Sequence, residues 1–224
     1  MGYYKDFSAM SIDDLKTKLL TGDLLKSRLP LRENIDGHFR AVKKGGISNA
    51  EELNAALKTK KTVASFAEKT GMPLDYLMLL RREINSWQPQ PRKIDGFPLL
   101  DSKVKTALQE NGIKTTVDAY QHILTPSARK SLRVKTGLTE KQVLHVARMT
   151  DLCRLQYVNE TFATLLVEAG YETITSVANA DPEELQKKVN TVYKKLLLSK
   201  CTIGLNDMRY LIRLAKDALS EIRW

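Results

Sequence analysis

Three segments of this chain close a helical pattern on the same small signal: a glycine, then an apolar residue, then a polar residue suited to start another helix. They are Gly46-Ile47-Ser48-Asn49, Gly112-Ile113-Lys114-Thr115 and Gly170-Tyr171-Glu172-Thr173. Glycine takes a left-handed backbone without a side-chain clash, so it ends a helix, and the apolar residue after it folds back onto the core. Asn49, Thr115 and Thr173 then offer side-chain acceptors to the free N–H groups of the next helix. A signal repeated at long intervals predicts a chain made of like modules.

A second landmark follows the first. Lys69-Thr70-Gly71-Met72 comes 25 residues after Gly46, and Lys135-Thr136-Gly137-Leu138 comes 25 residues after Gly112. In the third copy, Ile203-Gly204-Leu205 comes 34 residues after Gly170. The extra residues are expected to lengthen the helix that opens at Asp181-Pro182, a cap followed by proline in the first turn. Each second landmark precedes an amphipathic stretch: Leu74–Trp87, 140–155 and 207–223. The last carries Met208, Leu211, Ile212, Ala215, Leu219 and Ile222 at helical spacing. Thr139 and Gln142 have capping-box spacing. Nothing alternates with a period of two over a useful length, so the predicted fold is all-α, with three diverged repeats.

These landmarks divide the chain into a leading helical segment, 1–29, whose helix 12–20 is capped by Ser11, and a first module, 30–87. A proline-rich connection, 88–93, leads to a second module, 94–154, and a third, 155–224. Stretch 140–155 is expected to run as one helix from the second module into the third, leaving any hinge at Pro89 and Pro91.

Composition narrows the class. Of 224 residues, 42% are hydrophobic and 28% charged, the balance of a globular chain. The sequence has no run of about 18 apolar residues of the kind that spans a bilayer, and the first residues lack a signal-peptide pattern, so a cytoplasmic address is expected. Cys153 and Cys201 have no CxxC spacing and read as reduced core thiols. The net charge of +10 attracts polyanions such as nucleic acid or acidic proteins.

Paired helices joined by glycine turns resemble helix-hairpin-helix repeats, and more closely the bacterial domain-of-unknown-function proteins built of tandem pseudo-helix-hairpin-helix units. The resemblance rests on Gly46, Gly112 and Gly170, on the turns at Gly71, Gly137 and Gly204, and on the helix ending at Leu152; it covers about 31–219. It implies small helical bundles of the SAM-like kind. It also implies backbone binding to DNA through a glycine–apolar–glycine hairpin, whose N–H groups donate to a phosphate at a helix N-terminus. In this chain the second hairpin glycine is replaced by Pro73, Thr139 and Asn206. Pro73 has no N–H, while Thr139 and Asn206 keep theirs but add a Cβ.

The candidate anion site is therefore the second module's turn, with Lys135, Gly137, Thr139 and Lys141, and Arg129, Lys130 and Arg133 just before it. A second basic stripe, Lys187, Lys188, Lys194 and Lys195, faces away from Leu185, Val189, Val192 and Leu196. The alternative for both is a solvated basic face. His38, His122 and His145 are scattered, and no metal, P-loop or nucleophile motif appears, so no catalytic residue, metal or cofactor is expected. The first functional expectation is a non-enzymatic protein-interaction scaffold with a protein partner or self-association. Its alternative is sequence-independent binding to a DNA or RNA backbone, and an enzyme comes third. Neither a membrane nor a small-molecule substrate is expected as partner. Tyr3, Tyr4 and Phe7 mark a leading segment that docks on the body or on another chain.

Overall fold

The computed structural model describes residues 2–196, 202–218 and 221–224; every regular element among them is helical. The chain divides into two compact units, Met1–Gln88 and Pro89–Trp224. No helix among the described residues is long and apolar enough to cross a membrane.

The first unit holds α1 (Ile12–Thr21), α2 (Ile35–Lys44), α3 (Ala50–Ala56), α4 (Lys60–Thr70) and α5 (Leu74–Trp87), with a 3-10 stretch at Lys26–Arg32. Local chemistry sets the starts. Ser11 and Asp14 form a reciprocal capping box at α1, Asn49 accepts from the Glu52 N–H at α3, and Thr59 caps α4 with Thr62. One face of each helix is buried, placing Leu15, Phe39, Leu53, Val63, Phe66, Leu77, Leu80 and Ile84 in one core. The leading segment belongs to this body. Phe7 and Tyr3 are buried, and the Phe7 and Met10 carbonyls accept the Glu51 and Ala50 N–H groups.

Glu83 on α5 is a buried carboxylate, with Trp87 Nε1 donating to its Oε1 at 2.8 Å and Arg28 Nε 3.4 Å from its Oε2. Loss of hydration pushes its pKa above the ordinary glutamate value, outweighing Trp87, Arg28 and Lys18. Folding therefore favours the protonated form. The resulting stability is complete below the unfolded value of 4.5 and is lost as pH rises through the raised folded value. Glu83→Gln should flatten that slope in denaturation curves taken from pH 4 upward; an unchanged slope would assign the proton elsewhere.

The second unit holds α6 (Ser102–Glu110), α7 (Thr116–Tyr120), α8 (Pro126–Thr136), α9 (Glu140–Leu152), α10 (Glu160–Glu168), α11 (Ile174–Ala178), α12 (Pro182–Lys195) and α13 (Leu205–Lys216). Thr115, Thr139 and Thr173 close capping boxes with Asp118, Gln142 and Ser176. Residues after Pro91 join this unit by backbone pairing: Ile94 N–H bonds the Lys114 carbonyl and Thr116 N–H the Arg92 carbonyl.

The glycine caps differ among themselves. Gly46, Gly112 and Gly170 have φ of +86°, +79° and +87°, and the N–H groups of Ile47, Ile113 and Tyr171 reach back to the carbonyls of Val42, Leu108 and Leu166. That is the double-bonded left-handed cap, with the following apolar residue tucked inward. Gly71 and Gly137, at +68° and +69°, make the single-bonded version. Gly204 departs from the turn expected of it: it lies at φ −75°, ψ 156°, extended, at the start of α13. Gly137→Ala should cost about 1 kcal/mol because a Cβ strains a left-handed residue. Gly204→Ala should change stability by less than ~0.5 kcal/mol, since an alanine Cβ there meets only the movable Asp207 carboxylate. Equal losses in denaturant midpoints would contradict the assignment.

Two helix expectations are corrected. Stretch 140–155 does not continue into the following segment: α9 stops at Leu152, and 153–158 is a chain of turns leading to Asn159, which caps α10. Among its described residues, stretch 207–223 is helical only as α13, Leu205–Lys216; Ile222 is buried outside any helix, and Leu219 lies outside the described residues. The helix opening at Pro182 has 14 residues against 11 in both α4 and α8. The remaining extra length falls on a stretch that includes 197–201, outside the described residues, as does Cys201.

Candidate functional site

The turn between α8 and α9 carries the candidate anion site, and the N–H groups of residues 137–139 have acceptors within the chain. Thr125 caps α8 by accepting the Ala128 N–H, and Pro126 occupies the first turn, where no N–H is needed. At the other end, the Gly137 N–H bonds the Arg133 carbonyl and the Leu138 N–H bonds Thr136 Oγ1 at 3.4 Å. The Thr139 N–H donates to Gln142 Oε1 at 2.9 Å. These three hairpin donors are thus engaged by the chain itself.

The charged residues assigned to the site separate into groups. Arg129 is buried at 7% exposure; its Nη1 donates to the Ile123 carbonyl and its Nη2 to the Arg223 carbonyl, each at 2.8 Å. Its guanidinium carbon lies 5.5 Å from the Trp224 ring centroid. Arg129 therefore bridges two chain segments through its two Nη atoms. Lys130, Lys135 and Lys141 are exposed, Lys135 with its Nζ 3.5 Å from the Asn111 carbonyl. Arg133 pairs with Glu140 at 3.7 Å.

Beside this turn, α8 and α9 flank an open groove of about 250 Å³. Val143 and Leu144 supply its apolar wall and Pro126 one side. Arg129, Lys130, Arg133 and Glu140 line the rest. Lys135, Gly137, Thr139 and Lys141 do not line it. Sequence reasoning missed Glu140, Val143 and Leu144, although a signal existed. Positions 126, 129, 130 and 133 on one helix and 140, 143 and 144 on the next have the spacing of single helix faces turned toward each other.

The second stripe lies on α12, where Lys187, Lys188, Lys194 and Lys195 are exposed and Leu185 and Val189 are buried. Lys188 Nζ pairs with Glu184 at 2.8 Å and lies 5.5 Å from the Tyr171 ring centroid. Lys188 thus has local partners on an exposed face.

The most buried charge in this unit is one the sequence did not single out. Asp151 is fully buried, with its Oδ2 accepting the Ile174 N–H at 3.1 Å and its Oδ1 3.5 Å from Arg154 Nη1. Burial raises its pKa, against the opposing pull of the Ile174 N–H and Arg154. The Arg154 guanidinium lies 4.8 Å from the Tyr120 ring, whose hydroxyl donates to Glu221 at 2.8 Å. The set ties α9 to α11, α7 and the 221–224 segment. Burial also raises the Cys153 thiol and lowers His38 and His145, leaving the imidazoles neutral at neutral pH. His38 stacks on Tyr76 at 3.9 Å. Among the described residues, no three His, Cys, Asp or Glu side chains are placed to hold a metal ion.

No curated protein and no solved structure matches the chain. A family model does, over residues 99–218, which takes in α8, α9 and the groove between them and covers just over half of the sequence. On that match the chain belongs to the family described as Domain of unknown function (DUF4332).

Proposed function

We propose that this chain is a non-enzymatic, cytoplasmic interaction scaffold of helix-hairpin-helix-like modules, and that the α8–α9 groove receives an acidic segment of a partner protein. The observation that carries this reading is the make-up of the groove: an apolar wall of Val143 and Leu144 beside Lys130 and Arg133. Such a cleft suits a short segment that inserts an apolar side chain and sets a carboxylate against the cations. Glu140 opposes like charge on one side, which gives the segment a preferred direction. The net charge of +10 favours an acidic partner over a second copy of the chain. The repeated glycine caps at Gly46, Gly112 and Gly170 support the modular part of the reading.

Backbone binding to duplex nucleic acid at the Gly137 turn has weaker support, because the N–H groups of Gly137, Leu138 and Thr139 already have acceptors. The test is fluorescence anisotropy with a labelled peptide alternating glutamate and leucine, with a labelled DNA duplex as the second arm. Replacing Lys130 and Arg133 together by glutamate should weaken the peptide at least ~10-fold, the loss of about 1.4 kcal/mol of charge complementarity. Duplex retention lost on Lys135→Glu with Lys141→Glu, and peptide binding indifferent to the groove, would reverse the two readings.

A further inference from the structure

A second basic surface runs along α13. Arg209, Arg213 and Lys216 follow at i, i+4 and i+7, so they share one face, with axial steps of about 6 Å and about 4.5 Å. All three are exposed, while Met208, Leu211, Ile212 and Ala215 on another face are buried. Tyr210, half-buried, stands on the flank of this row, its ring centroid 5.7 Å from the Arg213 guanidinium carbon. A second ring joins it from the α9–α10 turn: Tyr157, at 6.1 Å and an interplanar angle of 34°.

Tyr157 is an unusual residue for its place. Its φ is +68°, the left-handed region, which glycine or asparagine would occupy at less cost. Its side chain is 46% exposed, so filling the core does not explain why a tyrosine stands there. A strained backbone that presents a large ring to solvent beside a row of cations is the pattern of a residue kept for contact.

We propose that Tyr157 and Tyr210, with Arg209, Arg213 and Lys216, form a stacking face for single-stranded nucleic acid. Bases of a single strand have free π-faces that lie against tyrosine rings, while the phosphates between them run along the cations. A duplex keeps its bases inside the stack and would meet the cations alone. Asp207 and Asp217 flank the row at the two helix ends, and the Asp207 carboxylate is engaged by the Gly204 N–H at 3.1 Å. The carboxylates thus bound the strand's path at both ends of α13. This face is separate from the α8–α9 groove and does not depend on it.

The test is anisotropy of the full chain with a labelled oligothymidine of about 20 nucleotides, enough to exceed one binding module. At low salt the chain should bind, with affinity falling steeply as salt is added. Tyr157→Gly should weaken binding about 10-fold, the loss of one stacked base. The same substitution should raise the thermal midpoint by relieving the left-handed strain, so weaker binding cannot come from unfolding. Tyr157→Phe should bind as the parent does. Arg209→Glu with Arg213→Glu should abolish binding, while Lys130→Glu with Arg133→Glu, an equal change of charge, should leave most of it. Four results would each overturn the proposal: no binding at low salt, full affinity in Tyr157→Gly, a duplex of equal length bound as tightly, or equal losses in the two charge-reversed pairs. A glutamate-rich peptide bound through Tyr157 in place of the oligonucleotide would likewise overturn it, in favour of a protein partner.

Discussion

Asp151→Ala is expected to lower the unfolding free energy of the second unit by about 3–5 kcal/mol, the usual cost of breaking a buried ion pair by removing one partner. Three consequences add up at one position. The Ile174 N–H, which begins α11, loses its buried acceptor. The Arg154 guanidinium keeps its charge at 10% side-chain exposure without its carboxylate. A small void opens where the carboxylate was packed. Thermal unfolding should move down by on the order of 10 °C. Asp151→Asn is the informative companion: it keeps an oxygen for Ile174 but removes the countercharge, so its loss should fall between wild type and alanine. Asp151→Ala within ~0.5 kcal/mol of wild type would mean that the pair contributes nothing net to folding.

Arg129→Ala should cost about 2–3 kcal/mol, because two carbonyls lose a charged donor at once. The Ile123 carbonyl is left inside, while that of Arg223 can turn to water, which keeps the loss below twice that of a single such bond. The change also frees Trp224 from its position over the guanidinium, so its fluorescence should shift toward the spectrum of a solvated indole. Trp87, buried and bonded to Glu83, supplies a constant background. Arg129→Lys should recover only part of the loss, since an ammonium lacks the fork that reaches two acceptors in a fixed plane. If Arg129→Ala left stability and the Trp224 spectrum unchanged while removing anion binding, Arg129 would be a ligand after all.

The comparison of Arg129 with Thr139 shows how far sequence reaches. Thr139 and Gln142 stand three apart, and a helix start brings such neighbours together whatever else the chain does; the capping box was legible. The same holds for Asn49, Thr115 and Thr173, and for the left-handed glycines. Arg129 looked like one of a basic cluster because nothing nearby in sequence reveals that the Arg223 carbonyl arrives beside it from 94 positions away. The end of α9 at Leu152 was equally hidden. Residues 153–155 have acceptable helical propensity, and the turn follows from the burial of Cys153, Leu155 and Val158. Tyr157's left-handed backbone has no sequence mark at all.

What the sequence alone determined, then, is the alphabet of helices: where most begin, which faces are apolar, and which glycines end them. Those follow from bonds between residues three to five apart, which form in any setting that lets the backbone coil. Tertiary structure decided which charges are used inside and which remain at the surface. It placed Asp151 against Ile174, turned Arg129 inward, and left Lys130 and Arg133 beside an apolar wall. The reason is that a charge is committed by its surroundings, through lost water and newly met acceptors, and those surroundings come from distant parts of the chain.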